Sequence, residues 1–119
     1  VGVVSAHAPA YARSFEAGEV VESPARTELA DGLACRVPDA DALTAIRAGV
    51  ERLVEVTDEQ VAGAMRLGFE TTHNVWEGAA AASLAAVELE RERLEGKKVG
   101  VVLSGGNVDR DVFARVLAG

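Results

Sequence analysis

Apolar runs at residues 1–5, 54–56 and 99–103 stand apart along this chain, with helical stripes between them. Read in order, the segments are strand, helix, strand, two helices, strand and helix. That order predicts a parallel sheet covered by helices. The expected fold class is therefore α/β, a partial three-layer α/β/α arrangement around a parallel sheet. With 119 residues the chain is long enough for one modest domain with a real core, and no repeat, low-complexity tract or linker divides it.

The stripes give the elements their expected limits. A short helix lies within residues 6–17 and ends near Gly18, and Val20-Val21 make a brief extended piece closed by Ser23-Pro24. Residues 27–38 read as a loop with a turn of helix, because Asp31-Gly32 breaks the spacing of Leu29, Leu33 and Val37. A helix begins at Asp41, with Leu43, Ile46, Val50 and Leu53 on its apolar face. Thr57-Asp-Glu-Gln60 is a capping box that opens a helix carrying Val61, Met65 and Phe69 on one stripe. The alanines of 79–86 favour a helix that presses close against a sheet or a flat ligand. Its charged continuation is expected to run to Leu94, to pair Arg91 with Glu95 and to stop at Gly96. A last helix starts at Asp109, with Val112, Phe113 and Val116 inward.

Composition excludes some partners. The formal net charge of −7 opposes binding to a nucleic-acid backbone or an anionic membrane surface. No apolar run approaches the ~20 residues of a membrane span. The single cysteine, Cys35, forbids an internal disulfide and fits a reducing cytoplasm, the expected location. Val1-Gly-Val-Val4 is strand-like from its first residue, without cap or polar lead-in. We therefore expect residues 1–119 to be a single partial domain of something longer. A sheet cut there would expose an edge and apolar helix faces, and so self-associate or bind the missing segment.

The chemistry concentrates at Ser104-Gly105-Gly106-Asn107, where the third apolar run ends. In open α/β sheets ligands sit at the carboxyl ends of strands. Glycines let a ligand touch the backbone, exposed N–H groups at a helix start can hold an anion, and a hydroxyl can bond a ring nitrogen. The same four residues also read as a plain tight turn. They match neither a dinucleotide fingerprint nor a P-loop.

Four blocks sharpen the choice: ADGLA at 30–34, AMRL at 64–67, EGAAA at 77–81 and VVLSGGNVD at 101–109. Their content and spacing resemble the C-terminal portion of the threonine/serine dehydratases. These are fold-type II pyridoxal-phosphate (PLP) enzymes, a group that includes serine racemase. The resemblance implies that the chain is the C-terminal part of the large domain of such an enzyme. It implies a lyase that converts small hydroxy amino acids to 2-oxo acids and ammonia. It also implies that the Ser104 hydroxyl meets the pyridine nitrogen of PLP while Gly105, Gly106 and Asn107 admit the flat ring. Glu77 matches a family glutamate near the cofactor, though an acid at the start of the alanine helix explains it equally well. Gly32 matches a loop glycine passing near the cofactor, and reads also as an ordinary turn.

Other expected parts are missing. The lysines are Lys97 and Lys98, at the end of the third run opposite Ser104, and neither matches the family lysine that anchors PLP. The glycine-rich phosphate cup is absent too. The chain is thus expected to supply one wall of the cofactor site, to carry no catalytic residue and to be inactive alone. Its partners would be the missing N-terminal segment, further copies in a homo-oligomer and an amino-acid substrate. Where relatives bind a divalent cation, this chain has Val4, Ala8 and Ala10, so no metal site of that type is expected. The substrate (threonine, serine or hydroxy-aspartate) and racemase against dehydratase chemistry stay open. So do two readings of other classes: a non-catalytic α/β interaction module, and a nucleotide-binding fragment using the Gly105-Gly106 turn.

Overall fold

The computed structural model describes residues 1–119. Two parallel strands form its sheet: β1 (Gly2–Ser5) and β2 (Leu53–Val56), paired from Gly2 with Leu53 to Ser5 with Val56. The alternation along β2 explains its seat, since Val54 and Val56 are buried while Glu55 between them is exposed. This small parallel sheet with packed helices is the expected α/β class.

Between the strands run α1 (Ala10–Ala17) and α2 (Ala40–Gly49). Gly18 stops α1 in the left-handed conformation, φ 80°. The buried Ser14 hydroxyl donates to the Ala10 carbonyl (2.7 Å) and accepts from the Val21 N–H (2.8 Å), which ties down the extended stretch after the helix. A 3₁₀ turn at Asp31–Leu33 is the turn of helix expected in the 27–38 loop. Helix α2 is capped by the Asp39 carboxylate, which accepts from the Ala42 N–H at 2.8 Å. It ends at Gly49, short of the expected Leu53. The sheet wins that residue, because the Gly2 N–H takes the Arg52 carbonyl at 3.0 Å and commits the chain to β2.

Helix α3 (Asp58–Thr72) opens on the expected capping box. The Gln60 N–H donates to the Thr57 hydroxyl (3.3 Å), and the Thr57 N–H donates to the Gln60 side-chain oxygen (2.9 Å). Helix α4 (Gly78–Leu89) lies against it. Val61, Ala64 and Met65 of α3 and Ala81, Ala82 and Ala85 of α4 share one buried cluster, in which the alanines permit close approach of the two backbones. Helix α5 (Arg110–Ala118) closes the cluster with Val116, and Phe113 meets Phe69 edge to face at 5.6 Å. No helix is long and apolar enough to cross a membrane.

Two expectations fail in the second half. The charged continuation of α4 does not run to Leu94: the chain turns at 90–96, and Arg91 pairs with Glu88 instead of Glu95. A long-range ion pair sits at the end of the helix. The Arg52 guanidinium donates to both Glu90 oxygens, at 2.6 and 3.1 Å. This hydrogen bonding holds the Glu90 carboxyl below its ordinary 4.5, against the opposing effect of burial. A carboxylate with a lowered folded-state pKa stabilises above its unfolded value and loses that contribution as pH falls through the folded one. Glu90→Gln is therefore expected to cost stability at neutral pH and to flatten the loss below the ordinary glutamate range. Urea denaturation across the acid limb measures both.

The second failure is the third strand. Residues 99–103 form no strand and join no sheet, and no backbone N–H from Val99 to Ser104 donates to another backbone carbonyl. One side-chain tie, the Ser83 hydroxyl donating to the Val102 carbonyl at 3.0 Å, fastens this stretch to α4. An apolar run becomes a strand only beside another strand, and β1 pairs with β2 alone.

Candidate functional site

Three sequence-distant segments converge on the start of α4. Gly78 opens the helix so close to the Leu29 carbonyl that a side chain there would overlap backbone. Gly32 packs against the next residue: a Cβ on it would lie 2.9 Å from the Ala79 Cβ. Thr27 and Asp58 hold this loop in place, the Thr27 hydroxyl donating to Asp58 Oδ1 (2.6 Å) and the Glu28 N–H to Oδ2 (2.7 Å). Sequence reasoning missed Asp58. Its only local signal was an acid in the first turn of α3, which a helix end explains without any partner.

The third segment is the end of the 99–104 stretch. The Glu77 N–H donates to the Gly105 carbonyl at 3.1 Å, and the Glu77 carboxylate accepts from the Asn107 N–H at 2.9 Å. The Val108 N–H closes a tight turn onto the Gly106 carbonyl at 3.0 Å. Glu77 thus holds the Ser104–Asn107 loop from both sides of the turn. Glu77→Ala is expected to speed amide exchange at Asn107 about tenfold, the loss of a charge-assisted bond, with α3 unaffected. Amide exchange followed by mass spectrometry reads this directly.

The glycines have an internal reason as well. A Cβ on Gly105 would sit 2.9 Å from Glu77 Oε1, and one on Gly106 would sit 2.7 Å from the Val75 carbonyl oxygen. Gly106 is thus held to glycine by backbone, whereas a side chain at Gly105 would displace the movable end of Glu77 and with it the bond to Asn107. Ser104 stands at the rim with its residue exposed, and it lines a groove of about 380 Å³ with Leu33, Ala79 and Val101.

The arrangement brings together every residue singled out at this end: Ser104, Gly105, Gly106, Asn107 and Glu77 in one bonded unit, and Gly32 beside them through Ala79. Lys97 and Lys98 are exposed and precede residues 99–104, whose other end carries Ser104. His7 is exposed before α1, and His73 is the left-handed cap of α3 (φ 59°). Val4, Ala8 and Ala10 are buried apolar residues. Glu77 stands at the N-terminus of α4, but its carboxylate caps no N–H of the helix and is bonded to Asn107 instead.

The class that the fold defines is a parallel α/β unit covered by helices, and in open α/β proteins ligands sit at the carboxyl ends of the strands. Residues 1–105 match the family model described as pyridoxal-phosphate dependent enzyme. The chain belongs to that family. It is 40% identical over 110 residues to an L-threonine ammonia-lyase of Geobacter sulfurreducens, covering 92% of this chain and 27% of the relative. It is 38% identical over 118 residues to a phenylserine dehydratase of Ralstonia pickettii, covering 98% of this chain and 36% of the relative. The crystal structure of a threonine deaminase from T.th. superposes with a TM-score of 0.83 at 34% identity, covering 91% of this chain and 39% of that one. The chain spans about a third of the length of these proteins.

The residues present fit one edge of the family's cofactor. A neutral hydroxyl can either donate to a pyridine nitrogen or accept from it. The glycines keep the loop beside that hydroxyl free of side chains. Neither the donor set for a phosphate nor an amine to hold the aldehyde carbon is at this end of the chain.

Proposed function

We propose that residues 1–119 form the C-terminal segment of the large domain in a cytoplasmic pyridoxal-phosphate-dependent ammonia-lyase. Its substrates are hydroxy amino acids such as L-threonine and L-serine. The observation that carries this reading is the Ser104–Asn107 loop, latched by Glu77 with the serine at its open rim, in a chain whose curated relatives are named ammonia-lyases and dehydratases. When bound, pyridoxal phosphate supplies the electron sink through which a hydroxy amino acid loses its β-hydroxyl and then ammonia, leaving a 2-oxo acid.

This chain's own share is positioning. Ser104 binds the ring nitrogen through a neutral hydroxyl, which leaves that nitrogen without a full counter-charge. Glu77 sets the height of the loop through the Asn107 and Gly105 backbone, so the hydroxyl meets the ring edge without reorganising. Gly32 and Ala79 keep the neighbouring surface low. The covalent anchor, the phosphate cup and the substrate's carboxylate contacts come from the rest of the enzyme, which is therefore this chain's obligatory partner.

The test is a chimera in which residues 1–119 replace the matched segment of the Geobacter relative. The chimera is expected to bind pyridoxal phosphate and release ammonia from L-threonine, whereas residues 1–119 alone do neither. A chimera that folds and binds the cofactor yet releases no ammonia from any hydroxy amino acid would overturn the lyase reading.

A further inference from the structure

Trp76 is the single tryptophan of the chain, and it stands between two residues that touch the Ser104–Asn107 loop. On one side, the Val75 carbonyl oxygen would lie 2.7 Å from a Cβ on Gly106. On the other, the Glu77 N–H donates to the Gly105 carbonyl at 3.1 Å, and the Glu77 carboxylate accepts from the Asn107 N–H at 2.9 Å. The loop therefore stands where residues 75 and 77 stand.

Hydrogen bonding does little to fix the link that carries them. That link runs from the end of α3 at Thr72 to the start of α4 at Gly78. The His73 N–H is bonded back to the Phe69 carbonyl and the Asn74 N–H to the Thr72 hydroxyl. The N–H groups of Val75 and Trp76 donate to no backbone carbonyl.

The indole supplies the missing tie. Trp76 is half-buried and packs against the cluster formed by α3 and α4. Its six-membered ring lies so close over Gly68 of α3 that a Cβ there would overlap ring atoms Cε3, Cζ3 and Cη2. Gly68 is buried in the interior of α3, where glycine weakens a helix relative to alanine. Gly63, earlier in the same helix, faces no such neighbour. Helix α3 thus keeps a residue without a side chain at the place where a rigid ring is seated. The seat itself is firm, because Val61, Ala64 and Met65 bury α3 in the cluster.

We propose that Trp76 is a positioning residue for the lyase: seated on Gly68, its indole fixes residues 75–77 against α3 and so sets where the Ser104 hydroxyl is presented. A large rigid ring suits that task, because little side-chain freedom is lost when it seats. Trp76 acts through Glu77 and not on the reacting atoms. Its effect on turnover rests on the lyase reading, whereas its hold on the loop does not.

The test uses the chimera with the Geobacter remainder, with and without pyridoxal phosphate. The variants are Gly68→Ala, Trp76→Ala, and Gly68→Ala combined with Trp76→Phe. Without cofactor, Gly68→Ala displaces the ring and Trp76→Ala deletes it, and each is expected to speed amide exchange at Asn107 about tenfold. Phenylalanine is smaller and leaves room for the new Cβ, so the double variant is expected to return to within about threefold of the parent. With cofactor, each single variant is expected to lower kcat on L-threonine about tenfold and to leave KM near the parent's, and the double variant to recover most of the loss. Denaturant midpoints check folding, and Trp76→Ala, which creates no clash, serves where Gly68→Ala does not fold. An indole that only fills space would lower the midpoint and leave exchange at Asn107 unchanged in the folded variants, and that result overturns the proposal. A double variant no better than Gly68→Ala alone overturns it too. A chimera that releases no ammonia while exchange at Asn107 still follows Trp76 overturns the lyase reading and leaves the hold on the loop standing.

Discussion

Ser104→Asp in the chimeric enzyme is expected to lower turnover on L-threonine by about a hundredfold and to change the absorbance of the bound cofactor. A hydroxyl leaves the ring nitrogen without a counter-charge. A carboxylate at the same place binds and stabilises its protonated form through a charge-assisted hydrogen bond, roughly twice as strong as a neutral one. A ring that withdraws electrons more strongly holds a developing carbanion longer, which works against prompt loss of the β-hydroxyl. A hundredfold change corresponds to about 2.7 kcal/mol of barrier, within reach of one charged contact in a closed site. Ser104→Ala is the milder control, expected near tenfold, since it deletes one hydrogen bond and adds no charge. Glu77 makes a second check: Glu77→Ala should lower turnover without the spectral change of the aspartate variant, because it loosens the loop and leaves the hydroxyl in place. If the aspartate variant keeps both spectrum and turnover, Ser104 does not face the ring nitrogen.

The largest expected loss of stability is at Gly78. A Cβ there would overlap the Leu29 carbonyl, and neither side of that contact is a flexible side-chain end. The loop cannot retreat freely, because Thr27 and Glu28 are bonded to Asp58 and the Ala30 N–H donates to the Thr27 hydroxyl at 3.0 Å. Helix α4 cannot retreat either, since Ala81, Ala82 and Ala85 are packed on α3. Gly78→Ala is therefore expected to cost about 3 kcal/mol or more, the range of an overpacked core. Gly63→Ala provides the contrast. It lies within α3, where the nearest atom to an added Cβ is the end of the Arg66 side chain at 4.0 Å. That variant is expected to stabilise by about 0.5–1 kcal/mol, the helix propensity difference. Denaturant midpoints of the two variants, measured side by side, should move in opposite directions.

Several elements were legible because their causes are local. Thr57 and Gln60 stand three apart and close a capping box whatever the rest of the chain does. Gly18 ends α1 because an L side chain resists that backbone conformation. Val61 and Met65 share a helical face by spacing alone. The Ser-Gly-Gly-Asn block was equally visible as a place where side chains are kept away. Its reason was not, since the glycines answer to Glu77 and the Val75 carbonyl, about thirty residues upstream in the chain.

What the amino-acid sequence determined by itself was the alternation of apolar runs and helical faces, the helix caps, and a resemblance that family membership upheld. Tertiary structure alone decided that Leu53 leaves a helix for β2, that the Glu90 side chain at the end of α4 pairs with Arg52, and that Glu77 holds a loop. It also decided that residues 99–103 stay outside the sheet. A cap or a stripe is settled among residues a few positions apart, where the chain's own geometry brings them together. A strand or an ion pair exists only when a distant segment supplies the other half, and spacing along the chain carries no record of which segment that is.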